Sequence, residues 1–494
     1  MTQIQTYQMF IDGRWCDATS AATLESVNPA TGQVWCRFPN AAAEDVDRAV
    51  SAAHRAMTQD PWSRMTATQR GKLLYRLADL VSERADQLAE IETRDTGKLI
   101  RETRSQIRYV AEYFRYFAGG ADKLEGSTLP IDKPDMFVMT VREPIGVVAA
   151  VVPWNSQLML TAVKIGPALA TGNAVVLKAS EHAPAPLLEL VKLCEEAGFP
   201  AGVINIVTGL GDPCGKALTS HPLVARIAFT GGPATARHVI RNSAENFATV
   251  TLELGGKSPI LVFADADLDS AANGIIAGNF GATGQSCVAG SRVFIQDDVF
   301  DLVLERVAAR ARDIRIGDPL AAESEMGPLA TRGQLDHVES AVQRSLGEGA
   351  RLISGGRRPA NREQGWYYEP TILACPDQRI SSVREELFGP VLSALRFKTE
   401  AEAVALANET AFGLAAGIFS RDAARSLRVM RQLRAGIVWI NTYRAVSPMA
   451  PFGGYKSSGS GREAGMESLL DYTRVKTVWL NTSTEPMGDP FIMR

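Results

Sequence analysis

The first periodic signal along the chain is helical. Val46, Ala49, Val50, Ala53 and Met57 recur at i, i+3, i+4, i+7 and i+11, an apolar stripe along one amphipathic helix. A second helix is announced by Thr66-x-x-Gln69, the spacing at which two side chains cap each other's backbone N–H groups. Leu73, Leu74, Leu77, Leu80 and Val81 then line its apolar face. Ahead of both, Asn28-Pro29 marks a turn. This is a helical layer in which no chemistry is read.

From about residue 143 short apolar runs alternate with helical segments. Gly146 to Val152 is unbroken and stops at Pro153, the pattern of a fully buried strand. A helix through Ala162 to Ala170 stops at Gly172-Asn173, Ala174 to Leu177 is the next strand, and a helix from about Pro186 to Ala197 closes at Gly198. Val203 to Val207, Arg226 to Phe229 and Val250 to Leu254 complete five strands. Strands without polar alternation, joined by helix-length crossovers, predict a parallel sheet covered on both faces. Ligands of such sheets bind beyond the carboxyl ends of the strands, so the residues just after each strand carry the interest. A second α/β region runs from about 256 into the 450s, with its own buried strand at Gly436 to Ile440. Val475 to Leu480 is a short apolar strand with polar flanks. Such an edge demands a partner, and another subunit would serve.

Composition narrows the function classes. At 494 residues the chain has room for about three domains of roughly 150 residues. It is 46% hydrophobic and 22% charged, so it can bury sizeable cores without disulfide or metal staples. A net charge of −3 gives no grip on nucleic acid or anionic membrane, and neither is expected as a partner. Val147 to Val152, the densest apolar stretch, falls far short of the roughly 20 residues that span a bilayer. Met1 to Trp15 lacks the basic-then-apolar pattern of a secretory signal. Six scattered cysteines make no disulfide framework, and without CxxC, HExxH or clustered histidines no metal site is expected. A reducing, cytoplasmic setting fits best.

Three short segments carry candidate chemistry. Cys287 sits among small residues in Gly284-Gln-Ser-Cys-Val-Ala-Gly-Ser291, which let a backbone turn approach a ligand; a lone buried cysteine is also common as inert packing. Glu253 leaves a strand into the double glycine of Thr251-Leu-Glu-Leu-Gly-Gly-Lys257, where a solvated loop end is the plainer reading. Asn155 directly follows the first buried strand in Pro153-Trp-Asn155, a position also suited to an Asx turn.

Together these segments resemble the aldehyde dehydrogenase superfamily. The matching patterns are Pro153-Trp-Asn155, Phe229-Thr-Gly-Gly232, Leu252-Glu-Leu-Gly-Gly-Lys-Ser-Pro259 and Gly284-Gln-Ser-Cys287. Two more are Glu385-Glu-Leu-Phe-Gly-Pro390 and Pro451-Phe-Gly-Gly-Tyr-Lys-x-Ser-Gly-x-Gly-Arg462-Glu463. The 34-residue interval from Glu253 to Cys287 matches as well. The resemblance implies an α/β fold with a Rossmann-like parallel-sheet cofactor domain (1–122 and 144–255) and an α/β catalytic domain (256–469). A small β oligomerisation element (123–143 and 470–494) would build a homodimer or homotetramer.

It also implies oxidation of an aldehyde to a carboxylic acid with NAD or NADP. Cys287 would attack the carbonyl as thiolate, and the Asn155 amide and the Cys287 N–H would hold the oxyanion. Hydride would pass to the nicotinamide, and Glu253 would activate water to release the acid, with deprotonation of Cys287 as a second duty. The implied cofactor positions are Pro153, Trp154, Lys178, Ser180, Glu181, Gly211, Phe229, Thr230, Gly231, Gly232, Leu254, Gly255, Glu386 and Phe388. A ribose-binding Glu181 would repel a 2′-phosphate and favour NAD, while Lys178 and Ser180 leave NADP open. No GxGxxG follows a strand. Phe229 to Ala236 opens a helix whose N–H groups would face the pyrophosphate, with Gly232 and Ala236 where the family often has Ser and a later Gly. Glu386 and Phe388 match positions that hold the nicotinamide ribose and brace the ring.

The resemblance also locates a substrate pocket. Ser156, Met159, Val163 and Val446 stand where relatives acting on small aliphatic aldehydes carry bulkier or more apolar groups, Phe452 keeps an aromatic, and Ser286 and Val288 flank Cys287. The expected lining is roomy and somewhat polar, suited to a semialdehyde or a bulky, polar aldehyde. Arg444 would meet a substrate carboxylate, or else sit as a solvated rim arginine or a subunit contact. Two other activities stand beside this one. A CoA-acylating dehydrogenase has no need of Glu253, and a cysteine esterase lacks a histidine near Cys287 in sequence.

Overall fold

The computed structural model describes residues 4–492. It opens with strands that periodicity did not reveal: β1 (Gln5–Thr6), β2 (Met9–Ile11), β3 (Arg14–Cys16), β4 (Thr23–Asn28) and β5 (Gln33–Pro39). The first three are too short to show a period. β4 and β5 form a hairpin turning at Asn28, whose Oδ1 accepts from the Ala30 N–H at 2.9 Å. The helical layer follows. α1 (Ala43–Thr58) buries Val46, Ala49, Val50 and Ala53. α2 (Ala67–Glu83) begins at the expected capping box: the Gln69 N–H donates to Thr66 Oγ1 (3.3 Å) and the Thr66 N–H to Gln69 Oε1 (2.8 Å). α3 (Ala85–Thr96) ends on Gly97 in the left-handed conformation, and α4 (Ile100–Gly120) packs along α2.

After β6 (Met136–Pro144) the chain alternates as expected: β7 (Val147–Val151), α5 (Gln157–Ala170), β8 (Ala174–Lys178), α6 (Ala185–Glu196), β9 (Ile204–Val207), α7 (Lys216–Ser220), β10 (Val224–Thr230), α8 (Pro233–Ser243) and β11 (Thr249–Glu253). These five strands are parallel in the order β11-β10-β7-β8-β9, and β2 and β3 extend the sheet antiparallel beyond β9. Their lack of polar alternation has a visible cause. Val148, Ala150, Val175 and Leu177 pack under α2, α4, α5 and α6, while Val147, Ala149, Val176 and Ile227 pack under α1, α7 and α8. Both faces are dry.

The second sheet contains β12 (Pro259–Val262), β13 (Arg292–Gln296), β14 (Arg351–Ser354), β15 (Thr371–Ala374), β16 (Val391–Phe397), β17 (Ala415–Phe419) and β18 (Ile437–Ile440), with α9 (Leu268–Phe280) between β12 and β13. Its order is β14-β15-β16-β13-β12-β17-β18, parallel except for β14. The chain then returns to the first sheet, where β19 (Gly459–Ser460) pairs antiparallel with β11 and sets Gly459 opposite Glu253. The last strand, β20 (Thr473–Asn481), finds a partner in its own chain. It runs antiparallel to β6 from Thr473↔Pro144 to Asn481↔Met136. Phe137, Val475, Trp479 and Leu480 remain exposed on that ribbon. Among the described residues no helix is long and apolar enough to cross a membrane, and no group of three His, Cys, Asp or Glu side chains is arranged to hold a metal ion.

The capping box can be tested directly. Thr66→Ala removes the acceptor of the Gln69 N–H and is expected to destabilise the protein by about 1 kcal/mol. The measurement is the midpoint of the first urea transition; an unchanged midpoint would show that the box adds nothing.

Candidate active site

The carboxyl ends of β7, β8 and β10 open into a cleft of about 710 Å³. Its walls include Pro153, Trp154, Lys178, Ser180, Glu181, Gly211, Phe229, Thr230, Gly231 and Gly232, ten of the fourteen expected cofactor positions. The structure adds His182, Lys216, Thr235, His238 and Asn242, helix and turn residues that no strand-end rule picks out. Lys178 Nζ lies 3.2 Å from Glu181 Oε2. Burial works against a charge on Glu181, yet the Lys178 ammonium and the residue's own N–H outweigh it and hold the carboxyl below its ordinary value.

The other four positions gather close by. The Gly256 N–H donates to Glu386 Oε1 at 2.8 Å, and Gly255 has no side chain where the Glu386 carboxylate lies. The Phe388 ring meets Trp154 edge-on at 5.4 Å between centroids. Leu254 is buried, its N–H donating to the Ser458 carbonyl at 2.9 Å. Burial pushes Glu386 up to about 7, against the pull of the Gly256 N–H and Lys257.

The loop that carries Cys287 is held from several sides. Ala282 and Thr283 have positive φ (52° and 56°), an unfavourable state for a β-branched residue. Glu102 of α4 steadies this turn by accepting from the Ala282 N–H at 2.8 Å. Gln285 Oε1 accepts from the Ala330 N–H at 2.8 Å, and Asn155 Nδ2 donates to the Gln285 carbonyl at 3.0 Å. Behind the loop, Tyr443 Oη donates to the Val288 carbonyl at 2.9 Å. The Tyr443 ring covers Gly278 and Gly417, where a Cβ would come within 2.8 Å of it. Cys287 and Ser286 are left half-buried, with Val288 inside the core. Burial first, then the Glu386 and Glu253 carboxylates, push the Cys287 thiol up to about 12.

Glu253 ends β11 at 3% exposure, and among the described residues neither of its carboxylate oxygens has a hydrogen-bond partner. Gly453 makes room for it: a Cβ there would lie 2.9 Å from Oε1. Burial and the nearby Glu463 raise Glu253 well above its ordinary value, with Lys164 and Arg462 opposing. Lys164, wholly buried on α5, pairs with Glu463 and donates to Thr230 Oγ1 at 2.7 Å. Glu463 is positioned by a two-way backbone pair with Phe452, 2.7 Å in each direction. Lys164 went unread in the sequence. Its signal was a single lysine inside an otherwise apolar helical run, since a buried charge requires a partner.

Of the expected pocket residues, Ser156, Met159, Val446 and Phe452 are half-buried, whereas Val163 is taken into the core. Ser156 Oγ accepts from the buried Lys98 Nζ at 3.0 Å. Arg444 also has positive φ (65°), and its Nη1 donates to the Ala277 carbonyl at 2.9 Å. It therefore caps the carboxyl end of α9.

The model of the aldehyde dehydrogenase family matches residues 15–478. The chain belongs to the aldehyde dehydrogenase family. The dehydrogenase is 58% identical over 492 residues to the (Z)-2-((N-methylformamido)methylene)-5-hydroxybutyrolactone dehydrogenase of Acinetobacter baylyi, covering 99% of this chain and 100% of that one. It is 44% identical to the mitochondrial aldehyde dehydrogenase of Rattus norvegicus, covering 95% and 91%. Betaine aldehyde dehydrogenase of Staphylococcus aureus, crystallised with NAD+, superposes with a TM-score of 0.96 at 38% identity over 98% and 96% of the two chains. The expected α/β fold and the expected reaction class, oxidation of an aldehyde to an acid, both hold.

With its thiol pushed up to about 12, Cys287 is protonated at neutral pH in the cofactor-free enzyme. Its alkylation by iodoacetamide is expected to accelerate about tenfold per pH unit from pH 7 to 10 without a plateau. A plateau near pH 8 would contradict that environment.

Proposed function

We propose that Cys287 attacks an aldehyde carbonyl as thiolate, the tetrahedral oxyanion being met by the second N–H of the Asn155 amide and by the Cys287 N–H. Loss of hydride leaves a thioester on Cys287, which water activated by Glu253 hydrolyses to the carboxylic acid. NAD bound in the cleft supplies the hydride acceptor. Glu181, held ionised, suits the two ribose hydroxyls of NAD and repels the 2′-phosphate of NADP. The N-terminus of α8, with Gly232 at its cap, suits the pyrophosphate, and Glu386 with Phe388 the nicotinamide ribose and ring.

The observation that carries this reading is the buried Glu253 carboxylate with no protein partner among the described residues. A water between it and the acyl carbon satisfies the carboxylate and supplies the nucleophile. A CoA-acylating enzyme would keep that unpartnered group for no purpose. A cysteine esterase would need a histidine base on Cys287, whereas the side chains that act on its thiol are the Glu386 and Glu253 carboxylates.

The same reading assigns 1–122 and 144–255 to the cofactor, 256–469 to Cys287, and 123–143 with 470–494 to assembly as a homodimer or homotetramer. The exposed apolar residues of the β6–β20 ribbon support that last element. All six cysteines are free, in keeping with a reducing, cytoplasmic setting.

The substrate is inferred to be a semialdehyde. A 5-hydroxybutyrolactone, the ring system named for the Acinetobacter relative, is the closed form of a 4-oxobutanoate: an aldehyde with a carboxylate two carbons away. The half-buried polar Ser156 and the nearby Arg444 favour such a substrate over an alkyl aldehyde.

With NAD and 4-oxobutanoate the enzyme is expected to form NADH and the diacid, with a higher kcat/KM for NAD than for NADP. Cys287→Ala is expected to form no NADH. Turnover that required CoA would overturn the hydrolytic reading. Arg444→Ala is expected to lower kcat/KM for 4-oxobutanoate about tenfold more than for its neutral isostere 4-methylpentanal. Equal losses would remove Arg444 from substrate recognition.

A further inference from the structure

Lys98 follows the left-handed Gly97 at the end of α3 and is only 3% exposed. An ammonium has three donors and no acceptor. Here it meets three oxygens: Glu92 Oε1 at 3.4 Å, Ser156 Oγ at 3.0 Å, and Gln106 Oε1. Glu92 is buried too, so the ion pair is neutral overall and sealed inside the protein. Gln106 and Ser156 are half-buried and form the open end of the cluster.

The ammonium decides which ends of those two side chains stay free. Gln106 has its carbonyl oxygen tied to Lys98, which leaves the amide N–H groups, and among the described residues Nε2 donates to no protein acceptor. Ser156 uses its oxygen as the acceptor, which leaves its O–H, again without a protein acceptor.

Ser156 also forgoes an ordinary role. It is the N-cap of α5, a fourteen-residue helix, yet its side chain makes no cap hydrogen bond. A serine there normally accepts from the helix's first N–H groups. The Leu158 N–H of that first turn is met by the Glu92 carboxylate instead, which leaves the Ser156 oxygen to Lys98.

Both side chains sit on segments that hold the Cys287 loop. Ser156 is the residue after Asn155, whose amide bonds Gln285 in the Cys287 loop. Gln106 lies one turn along α4 from Glu102, which holds the Ala282 N–H of the same loop.

Resting on the semialdehyde reading above, we propose that Gln106 Nε2 and Ser156 Oγ, set in place by Lys98, form a donor pair that binds the substrate's carboxylate at the end away from the aldehyde. Lys98 is a positioning residue in this arrangement, orienting the donors without reaching the substrate.

The test uses the ratio of kcat/KM for 4-oxobutanoate to that for 4-methylpentanal, which has the same shape but no acceptor oxygens. A folding defect lowers both values and cancels in the ratio. Gln106→Glu keeps an oxygen for Lys98 and exchanges the donating amide for a carboxylate oxygen. Ser156→Ala removes the hydroxyl. The ratio is expected to fall about tenfold or more in Gln106→Glu and about fivefold in Ser156→Ala, carried by KM for 4-oxobutanoate. A strong wild-type preference for 4-oxobutanoate that survives both substitutions would overturn the donor pair and leave the semialdehyde reading standing. A wild-type enzyme with no preference between the two aldehydes would overturn both.

Discussion

A carboxylate buried without a partner is the constraint around which the seam of this dehydrogenase is arranged. Glu253 is buried and, among the described residues, takes no hydrogen bond from the protein, which a protein tolerates only where the surroundings are otherwise fixed. The fixing comes from a single return of the chain. β19 pairs with β11 at Glu253, Gly453 yields the space for its oxygen, and Glu463 reaches Lys164 beneath it. The stretch from 452 to 463 thus sets Phe452, the Lys164–Glu463 pair and the surroundings of Glu253 together.

The electrostatics around Cys287 follow from the same crowding. Two carboxylates act on the thiol and both are themselves pushed up by burial, so the site is poised with its acidic groups protonated more readily than in water. The cation of an oxidised nicotinamide is the charge such surroundings are short of. On the opposite side of the cleft the logic reverses, since Lys178 keeps Glu181 ionised.

Much of this was legible in the chain, for identifiable reasons. The five parallel strands stand out because both faces are dry, so each reads as an unbroken apolar run. The capping box at Thr66 is a local chemical signal and needs no tertiary contact. Cys287, Glu253 and Asn155 each had a bland alternative alone and became informative through their spacing and flanking glycines. What stayed hidden depends on distant contacts. β1 to β3 are too short to show a period, and the partner of β20 lies more than three hundred residues away in β6. Lys98 and Lys164 look like ordinary helix-flanking or helical lysines until Gln106 and Ser156 close on the first and Glu463, from the far end of the chain, pairs with the second.

The Tyr443 ring behind the catalytic loop ties together positions that are far apart in sequence. Gly278 on α9 and Gly417 on β17 are both kept free of side chains by its footprint, and its hydroxyl holds the residue after Cys287. The three positions therefore form a single unit of substitution. A methyl group at either glycine is compatible with the fold only alongside a smaller residue at 443, and that exchange surrenders the hydroxyl as well. Drift at two inconspicuous glycines is thereby coupled to the placement of the Cys287 loop.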